Sequence, residues 1–503
     1  MSKTLRGGRL SSKRSDVAEF TSSIKDDARL STSVIDINKA HVIMLMEQKI
    51  IKQQDAAELL QALNAKIDIN MDSSSEDVHM AVEEAVLQKV GWEIGGNLHI
   101  AKSRNDQVAT AIRMELRKNL LDLMLSVVKM QESLLGTAEK HLKTVILGYT
   151  HLQPAQPVTF AHYLLSRLDG LERDLQRLQG AYGRANLCPL GAGALATTSF
   201  PISRERVAEL LGFDGLVENS IDAVGSRDFI LETIAALTLM AVNLSQLAED
   251  LIVWSAPDFG VVEVPDDFAS TSSMMPQKKN PEVAEIVRAR ASFVLGDFTA
   301  SAAMLKGLPS TYNLDFQEVT PKLWASIENV SDSLVILAKL VPNLKVSPTV
   351  SEKASTSFVS ATELANILVR KHGIPFRSAH KIVGAFVKML WETKRTFLDA
   401  TPELLQKAAK DSVGIEVTVK AEDIAGLTDL LSIVERYNVK GGPAPTEVKR
   451  AINARKKSMI LAKSNISKMK QALEKAKKKL ESAVKTCSGV TSSENRRFKN
   501  SKL

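Results

Sequence analysis

The chain of 503 residues is poor in several residue types, and each shortage excludes a class of protein. Its two cysteines, Cys188 and Cys487, are too few for a disulfide framework and too far apart in sequence for a metal pair. They indicate a reducing compartment, and we expect a cytoplasmic protein. The basic N-terminus lacks the apolar segment of a secretory signal, and no run of 18 apolar residues predicts a membrane span.

Common cofactor and metal motifs are also missing. The sequence has no P-loop, no HExxH and no paired CxxC, and its eight histidines show no ligand spacing, so we expect neither metal nor cofactor. The segment GAGALA at 191–196 matches a dinucleotide fingerprint only loosely, because no βαβ unit surrounds it. We interpret it as a glycine turn between helices.

Helix-forming residues dominate what is there. Aromatic residues make up only 5%, while Leu, Ala, Lys and Glu abound, a composition that favours helix over sheet. Residues 105–147 contain no proline and one glycine, which predicts a helix of about 60 Å. Further long helical patterns run to about Arg184, cover 228–254, and begin at Pro281 and near Pro321. Long helices with short breaks predict an elongated bundle.

The pattern at 228–254 has a continuous apolar seam. No charged residue occurs between Glu232 and Glu249, so we expect this helix to be buried on most sides. The seam that packs against other helices repeats every seven residues, with further small or apolar residues between: Ile230, Ile234, Leu237, Ala241, Leu244, Ala248 and Leu251.

The positive charge of the chain is concentrated at its C-terminal end. From residue 441 onward there are 17 Lys and Arg against 4 Asp and Glu, whereas the preceding 440 residues hold 48 against 54. KGGPAP at 440–445 is typical of a linker, and beyond it we predict a basic helix and a polar, disordered end. Such a tail is expected to be dispensable, so a chain ending at Lys440 should stay assembled and active. Contact with nucleic acid is the alternative, and we interpret the terminal Ser-Lys-Leu, which matches a peroxisomal address, as coincidental.

Three polar segments lie at breaks between the long helices. GGNLHIAKSRNDQVAT at 95–110 is typical of a helix start, with Ser103 or Asn105 as the cap and Asp106 complementing the helix dipole. GYTHLQPAQPVTF at 148–160 could be a proline-stiffened connection, but that explains its prolines and not its other polar residues. TSSMMPQKKNPE at 271–282 could be an ordinary solvated loop.

The third segment has the composition of an anion site. Asn280, Pro281 and Glu282 predict a helix start with Asn280 as its cap, so the loop ends at a positive helix terminus. Lysine charge beside a serine stabilises the alkoxide form, so the serine can act as a base. One turn into the helix, Glu285 could hold an imidazole. A base, a histidine and fixed cations suit proton abstraction next to a carboxylate.

These three segments, in this order, resemble the fumarase/aspartase superfamily. The superfamily signature is close to G-S-S-x-M-P-x-K-x-N, and SSMMPQKKN matches it from Ser272 to Asn280. Within the superfamily the chain is similar to argininosuccinate lyases, over about residues 4–440. The segments that carry this likeness are PQKKNP, GYTHLQPAQPVTF, KSRNDQVAT, EDVHMAVE, PLGAGALA, SRDF and YNLDFQE.

The resemblance implies a reaction and a role for each matching residue. Argininosuccinate would be split reversibly into arginine and fumarate by β-elimination, without cofactor. Ser272 would remove the Cβ proton, Lys278 and Asn280 would stabilise the aci-carboxylate, and His151 paired with Glu285 would assist protonation of the leaving nitrogen. The identity of the general acid stays open, and Asn280 cannot cap a helix and bind substrate through one oxygen. The implied substrate-binding residues are Ser23, Arg104, Asn105, Thr150, Arg227, Ser273, Tyr312 and Gln317.

The implied architecture is an all-α, three-domain, fumarase/aspartase-like fold whose central long-helix bundle assembles into a tetrameric helical core. The expected units are 1–104, 105–350, 351–440 and the basic tail 441–503, in a homotetramer whose sites are shared between chains. The sequence departs from the family at Thr271, where a glycine is usual, and at Leu314 and Thr320, where a basic residue is frequent. Two alternatives remain: another fumarate-releasing lyase, such as an adenylosuccinate-type enzyme, and a non-catalytic, crystallin-like protein.

Overall fold

A computed structural model describes residues 13–65, 75–347 and 350–489. Its first part consists of short and medium helices around the apolar helix α3. They are α1 (Ser15–Thr21), α2 (Ile24–Asp27), α3 (Ser31–Glu47), α4 (Gln53–Asn64) and α5 (Val78–Gly95).

The centre of the molecule is a bundle of five long helices, which confirms the predicted all-α class. The first, α6, covers 37 residues and therefore spans about 56 Å. The helices of this part are α6 (Arg104–Lys140), α7 (Phe160–Ala185), the short α8 (Arg204–Leu211) and α9 (Ser220–Gly225), α10 (Asp228–Ser255), α11 (Glu282–Leu305) and α12 (Phe316–Leu340). The fifth long helix was predicted to begin near Pro321, but it begins five residues earlier and contains that proline.

The predicted seam of α10 is buried, but the helix is not covered on most sides. All seven seam residues belong to the core, yet only 13 of its 28 residues are buried, and Leu239 and Val242 remain exposed. Its length and composition would suffice to cross a membrane, a property it shares with core helices of bundles. Here it packs against α7, α11 and α12.

Helix α11 leaves an even larger apolar surface uncovered. Only Ala284, Val287, Val294 and Ser301 of its 24 residues are buried. Ile286, Phe293 and Leu295 are exposed on the outside of the bundle. A single chain therefore leaves an apolar face of its central bundle in water, which marks an interaction surface.

Short strands connect the long helices. The longest pair is the antiparallel hairpin of β1 (Val145–Thr150) and β2 (Gln153–Thr159). The segment 148–160, for which a proline-stiffened connection was one interpretation, forms the tip and the second strand of this hairpin. The others are two-residue pairs: parallel β3 (Leu187–Cys188) with β4 (Gly215–Leu216), and antiparallel β5 (Val262–Glu263) with β8 (Lys345–Val346) and β6 (Ser270–Thr271) with β7 (Lys279–Asn280).

Six shorter helices follow the bundle, and most of them enclose a separate apolar core around Leu368, Phe386 and Leu405. This separate core supports the proposed unit at 351–440. The helices are α13 (Val350–Thr356), α14 (Ala361–His372), α15 (Phe376–Glu392), α16 (Pro402–Val413), α17 (Ala421–Ala425) and α18 (Leu430–Arg436).

The basic segment after the Gly-Pro linker forms one helix, α19 (Pro445–Cys487), which packs along the body. The expectation of a separate tail is thereby corrected. Val448, Ile452, Ile466, Leu480 and Val484 are all buried. Five of its basic residues form ion pairs with acidic residues of α6, α7 and α8: Arg455 with Asp169, Lys456 with Glu139, Lys463 with Glu132, Lys470 with Asp122 and Lys479 with Glu209.

The sequence pattern explains this packing. The apolar residues of α19 form a stripe, and the mildly acidic body supplies partners for the lysines on either side of it. The terminal Ser-Lys-Leu lies outside the described residues.

Candidate active site

The start of α6 places two of the predicted binding residues. Ser103 is the cap: its side chain accepts the N–H of Asn105 at 3.4 Å and forms a capping box with Asp106. Arg104 and Asn105 are therefore the first two residues of the helix. The Arg104 guanidinium forms an ion pair with Asp77, the cap of α5. Another of its nitrogens lies 3.7 Å from a carboxylate oxygen of Glu83. Asn105 donates its side-chain N–H to the carbonyl oxygen of Ala194 at 3.2 Å.

Ser23, Tyr312 and Gln317 belong to the same neighbourhood. The hydroxyl of Ser23 donates to Asp27, whose pKa is raised to about 7 because burial outweighs that hydrogen bond. Gln317 donates to the carbonyl oxygen of Thr21 at 3.3 Å. Burial raises the pKa of the Tyr312 phenol, which lies within electrostatic range of Arg227, Asp77, Asp27 and Arg104. We call Ser23, Arg104, Asn105, Tyr312 and Gln317 the binding cluster.

Arg227 lies beside the binding cluster without a carboxylate partner in the described residues. It is buried, its guanidinium lies over the Phe316 ring at 4.4 Å, and it donates to the carbonyl oxygens of Val224 and Ser226 at 3.2 and 2.7 Å. Burial lowers its pKa to about 10, so it remains charged at neutral pH. A buried cation at the edge of this cluster adds positive potential that would attract an anionic substrate.

His151 occupies the tip of the β1–β2 hairpin. Thr150 pairs with Gln153 across the turn, and both turn residues, His151 and Leu152, have positive φ, at 55° and 59°. A side chain in this conformation costs about 1–2 kcal/mol, and such turns normally use Asn-Gly. The hairpin holds His151 and Leu152 exposed, away from the rest of its own chain. A strained, exposed histidine is consistent with a functional role.

Ser272 begins a loop that the β6–β7 pair closes. Ser270 pairs with Asn280 and Thr271 with Lys279, so residues 272–278 project from a two-residue ladder. The family usually has a glycine before the two serines, and Thr271 takes its place here. Thr271 lies in an extended strand, so this position does not need a glycine. The Ser272 hydroxyl oxygen accepts the backbone N–H groups of Met274 and Met275 at 3.2 and 3.0 Å.

The two lysines of the loop differ in their surroundings. Lys279 is anchored by Glu263 at 3.0 Å and Asp266 at 2.6 Å. Lys278 is exposed, and no carboxylate in the described part of the chain lies within ion-pair distance of it. Lys278 is therefore the lysine that is available to an anionic ligand. Ser273 is exposed beside it.

The prediction that Asn280 caps the following helix is wrong. Helix α11 begins at Glu282 with Pro281 at the cap position, and Asn280 lies in β7 with extended backbone. Its pairing with Ser270 separates it from the first helical residue. The conflict between capping and substrate binding is removed, because the Asn280 amide is not used as a cap.

The predicted site residues fall into three separate groups within one chain. They are the binding cluster with Arg227, the hairpin tip with Thr150 and His151, and the loop with Ser272, Lys278, Asn280 and the following Glu285. Glu285 is exposed, and among the described residues no hydrogen bond or ion pair joins it to His151. The expected pair of His151 and Glu285 is therefore not formed inside a single chain.

Sequence reasoning missed several acidic residues that organise the binding cluster. Asp27, Asp77 and Glu83 hold Ser23 and Arg104. The Asp106 carboxylate, expected to complement the helix dipole, is also fully buried. The segment EDVHMAVE contained the signal for Asp77, since an acid directly before a helical pattern predicts a cap. Thr320 is buried and donates to the Phe316 carbonyl oxygen, so it is part of α12 packing, whereas Leu314 is exposed.

Comparison with known proteins places the chain among related lyases. The family described as lyase matches residues 8–296, and the argininosuccinate lyase C-terminal family matches 358–435. An argininosuccinate lyase of Methanocaldococcus jannaschii is 45% identical over 455 residues, which are 89% of this chain and 93% of the relative. One of Methanosarcina mazei is 40% identical over 94% of this chain and 97% of the relative.

Solved structures share the fold over nearly the whole chain. An EDDS lyase in complex with formate has a TM-score of 0.87 and 31% identity to this chain. The match covers 97% of this chain and 99% of the EDDS lyase chain. A class II fumarase from Schistosoma mansoni has a TM-score of 0.70 at 16% identity. The match covers 86% of this chain and 97% of the fumarase chain, and at this identity it shows the fold alone. The chain belongs to the argininosuccinate lyase family.

Proposed function

We propose that this chain catalyses the reversible β-elimination of argininosuccinate to L-arginine and fumarate, without cofactor, in arginine biosynthesis. The observation that carries the proposal is the 40–45% identity to argininosuccinate lyases over about nine-tenths of the chain. The separate groups of polar residues supply the functions that this reaction needs: binding, proton removal and protonation of the leaving group.

Proton removal is assigned to Ser272. Its alkoxide takes a proton from the carbon next to the substrate carboxylate, and the electron pair moves into that carboxylate to form an aci-carboxylate. Lys278 and the free Asn280 amide stabilise the charge that develops there, which is electrostatic catalysis of the oxyanion type. Ser273 is assigned a contact to the same end of the substrate.

Cleavage follows when the electron pair returns. The double bond of fumarate forms, the carbon–nitrogen bond breaks, and the departing guanidinium nitrogen receives a proton. His151, held by Glu285, assists this delivery, and Thr150 beside it binds substrate. The binding cluster, aided by Arg227, holds the remainder of the substrate.

A homotetramer with shared sites supports this chemistry. Among the described residues, no hydrogen bond or ion pair joins His151, Ser272 and the binding cluster to one another. Ile286, Phe293 and Leu295 of α11 are exposed to water. Packing α10 and α11 of several chains together would cover this face. We propose that the association brings the three groups, from different chains, into each active site.

Further proposals concern the location of the protein and two alternative roles. The two free, buried cysteines are compatible with a cytoplasmic location. Nucleic-acid binding by α19 is disfavoured because five of its basic residues already pair with the body. A non-catalytic, crystallin-like role is disfavoured by the presence of Ser272, Lys278, Asn280 and His151.

The likeness to EDDS lyase makes a different substrate the second candidate. Purified protein should be given argininosuccinate, adenylosuccinate or EDDS, and fumarate followed by its ultraviolet absorbance. We expect rapid fumarate release from argininosuccinate and release at least about a hundredfold slower from the others, since missing polar contacts cost that much. Faster release from either alternative would replace the assigned substrate, and release from none would favour the non-catalytic role.

A further inference from the structure

The fully buried carboxylate of Asp106 joins two segments that are distant in sequence. One oxygen accepts the N–H of Ser103 at 3.0 Å, and the other accepts the N–H groups of Gly191 and Gly193 at 3.0 and 2.9 Å. The first bond closes the capping box of α6. The other two fix the glycine turn at 189–197 against the start of that helix.

The glycine turn has a shape that other residues would not permit. Gly191 and Gly193 have φ of 86° and 62°. A Cβ on Gly193 would lie 2.6 Å from the carbonyl oxygen of Thr197, and one on Gly191 would lie 2.7 Å from the side chain of Arg204. Both glycine N–H groups are therefore directed at one carboxylate oxygen by a conformation that only glycine adopts easily.

Only a carboxylate satisfies these donors. An ionised Asp accepts through both oxygens and donates nothing, whereas an Asn of the same shape would turn an NH₂ group toward backbone N–H groups. An Asn could keep its single amide oxygen on the two glycine N–H groups, whereas an Ala offers no acceptor at all. Buried N–H groups that lose their acceptor are costly, so in Asp106→Ala the turn would move away from the helix.

The turn is directly connected to the binding cluster. The carbonyl oxygen of Ala194 accepts the side-chain N–H of Asn105 at 3.2 Å, and the next carbonyl, of Leu195, accepts the hydroxyl of Ser220 at 2.7 Å. The position of Ala194 therefore decides how the Asn105 amide is turned. In the part of the chain that the structure describes, no other hydrogen bond uses the Asn105 side-chain amide, so its oxygen and its second N–H are left for a ligand.

We propose that Asp106 is a positioning residue for substrate binding: it pins the glycine turn so that Ala194 orients the Asn105 amide beside Arg104. The proposal rests on the proposed function of the site. Asp106 does not touch the reacting atoms, and its effect passes through Asn105. It acts on the binding cluster and not on the loop that carries Ser272.

The test compares Asp106→Ala with a matched control, Asp174→Ala. Asp174 is also buried and accepts hydrogen bonds at 2.7 Å, from Asn243 and Arg177, but it lies in the middle of α7. The end of α7 near Arg184 approaches α6 at Arg113, and Asp174 is about 15 Å further along the helix. Both variants lose one buried carboxylate, and only one loses the link to the turn.

The first measurement is hydrogen exchange of the peptide that covers 189–199, followed by mass spectrometry. Asp106→Ala should raise its exchange rate about tenfold or more, and Asp174→Ala should leave it unchanged. Unchanged exchange in Asp106→Ala would overturn the pinning. This measurement needs no turnover, so it decides that point even if the proposed reaction were wrong.

The second measurement separates positioning from general damage. Asp106→Ala should raise KM for argininosuccinate about tenfold with kcat within about threefold, since binding and not chemistry is disturbed. Asn105→Ala should raise KM similarly, and the double variant should be little worse than Asn105→Ala alone, because the two act through one contact. Additive effects on KM, or a fall in kcat alone, would contradict the proposal.

Discussion

Ile466 offers a sharp test of how α19 is held. It is fully buried in the middle of the helix, whereas Ile460, six residues earlier on the same helix, is 65% exposed. Changing either isoleucine to alanine alters helix propensity equally, so the difference between the variants reports packing. Ile466→Ala should cost about 2–5 kcal/mol through lost burial and a cavity. Ile460→Ala should stay within about 0.5 kcal/mol of the unaltered protein.

The assay is the thermal unfolding midpoint of the full chain, measured for both variants side by side. We expect Ile466→Ala to lower it by several degrees and Ile460→Ala to leave it nearly unchanged. Equal shifts would refute the packed position of α19.

Loss of the whole helix should be far more damaging. Five buried aliphatic residues at about 1.5–3 kcal/mol each contribute about 8–15 kcal/mol as an upper estimate. This is comparable to the total stability of a domain. We therefore expect a chain ending at Lys440 to lose its fold, contrary to the expectation from sequence. A truncated chain with an unchanged unfolding midpoint would refute this.

The remaining predictions concern the site and pH. Ser272→Ala should lower kcat about 10²–10⁴-fold while substrate affinity stays within about tenfold, since the hydroxyl serves the transition state; near-normal kcat would remove Ser272 as the base. His151→Asn should lower kcat at least about a hundredfold, and unchanged kcat would leave His151 a structural role only. Burial and the charge of Lys102 lower the pKa of His41 to about 3. Below pH 6.5 the unfolded chain therefore binds a proton at His41 that the folded chain does not, and stability falls as pH falls toward 3. By pH 4.5 this loss is about 2.5 kcal/mol, so between pH 7 and 4.5 the unfolding midpoint should fall more in wild type than in His41→Gln. Equal falls would contradict the assigned pKa.

The local patterns of the sequence were sufficient for the long helices and for the start of α6. The seam of α10 predicted which of its residues are buried, because a seven-residue repeat determines which residues share a helix face. The helix cap was narrowed to Ser103 or Asn105, because capping is local, and Ser103 is the cap.

Features that depend on distant partners were not predictable in the same way. Asn280 matched a helix cap in its local sequence, but pairing with Ser270 ten residues earlier placed it in a strand. Asp106 was expected only to complement the helix dipole, because nothing nearby in sequence reveals Gly191 and Gly193, its partners 85 and 87 residues away. The lysines of α19 suggested a free basic tail, because their acidic partners lie on helices hundreds of residues earlier.

The central proposal is that one site uses groups that a single chain keeps apart, and mixing two inactive variants tests it most directly. Ser272→Ala and His151→Asn proteins would be dissociated together, reassembled, and assayed for fumarate release from argininosuccinate, with mixed assemblies verified by mass spectrometry. If serine and histidine of a site come from different chains, random equal mixing leaves both intact in about a quarter of the sites of a closed assembly. The account predicts recovery of about a quarter of wild-type activity. Verified mixed assemblies that remain inactive would contradict it.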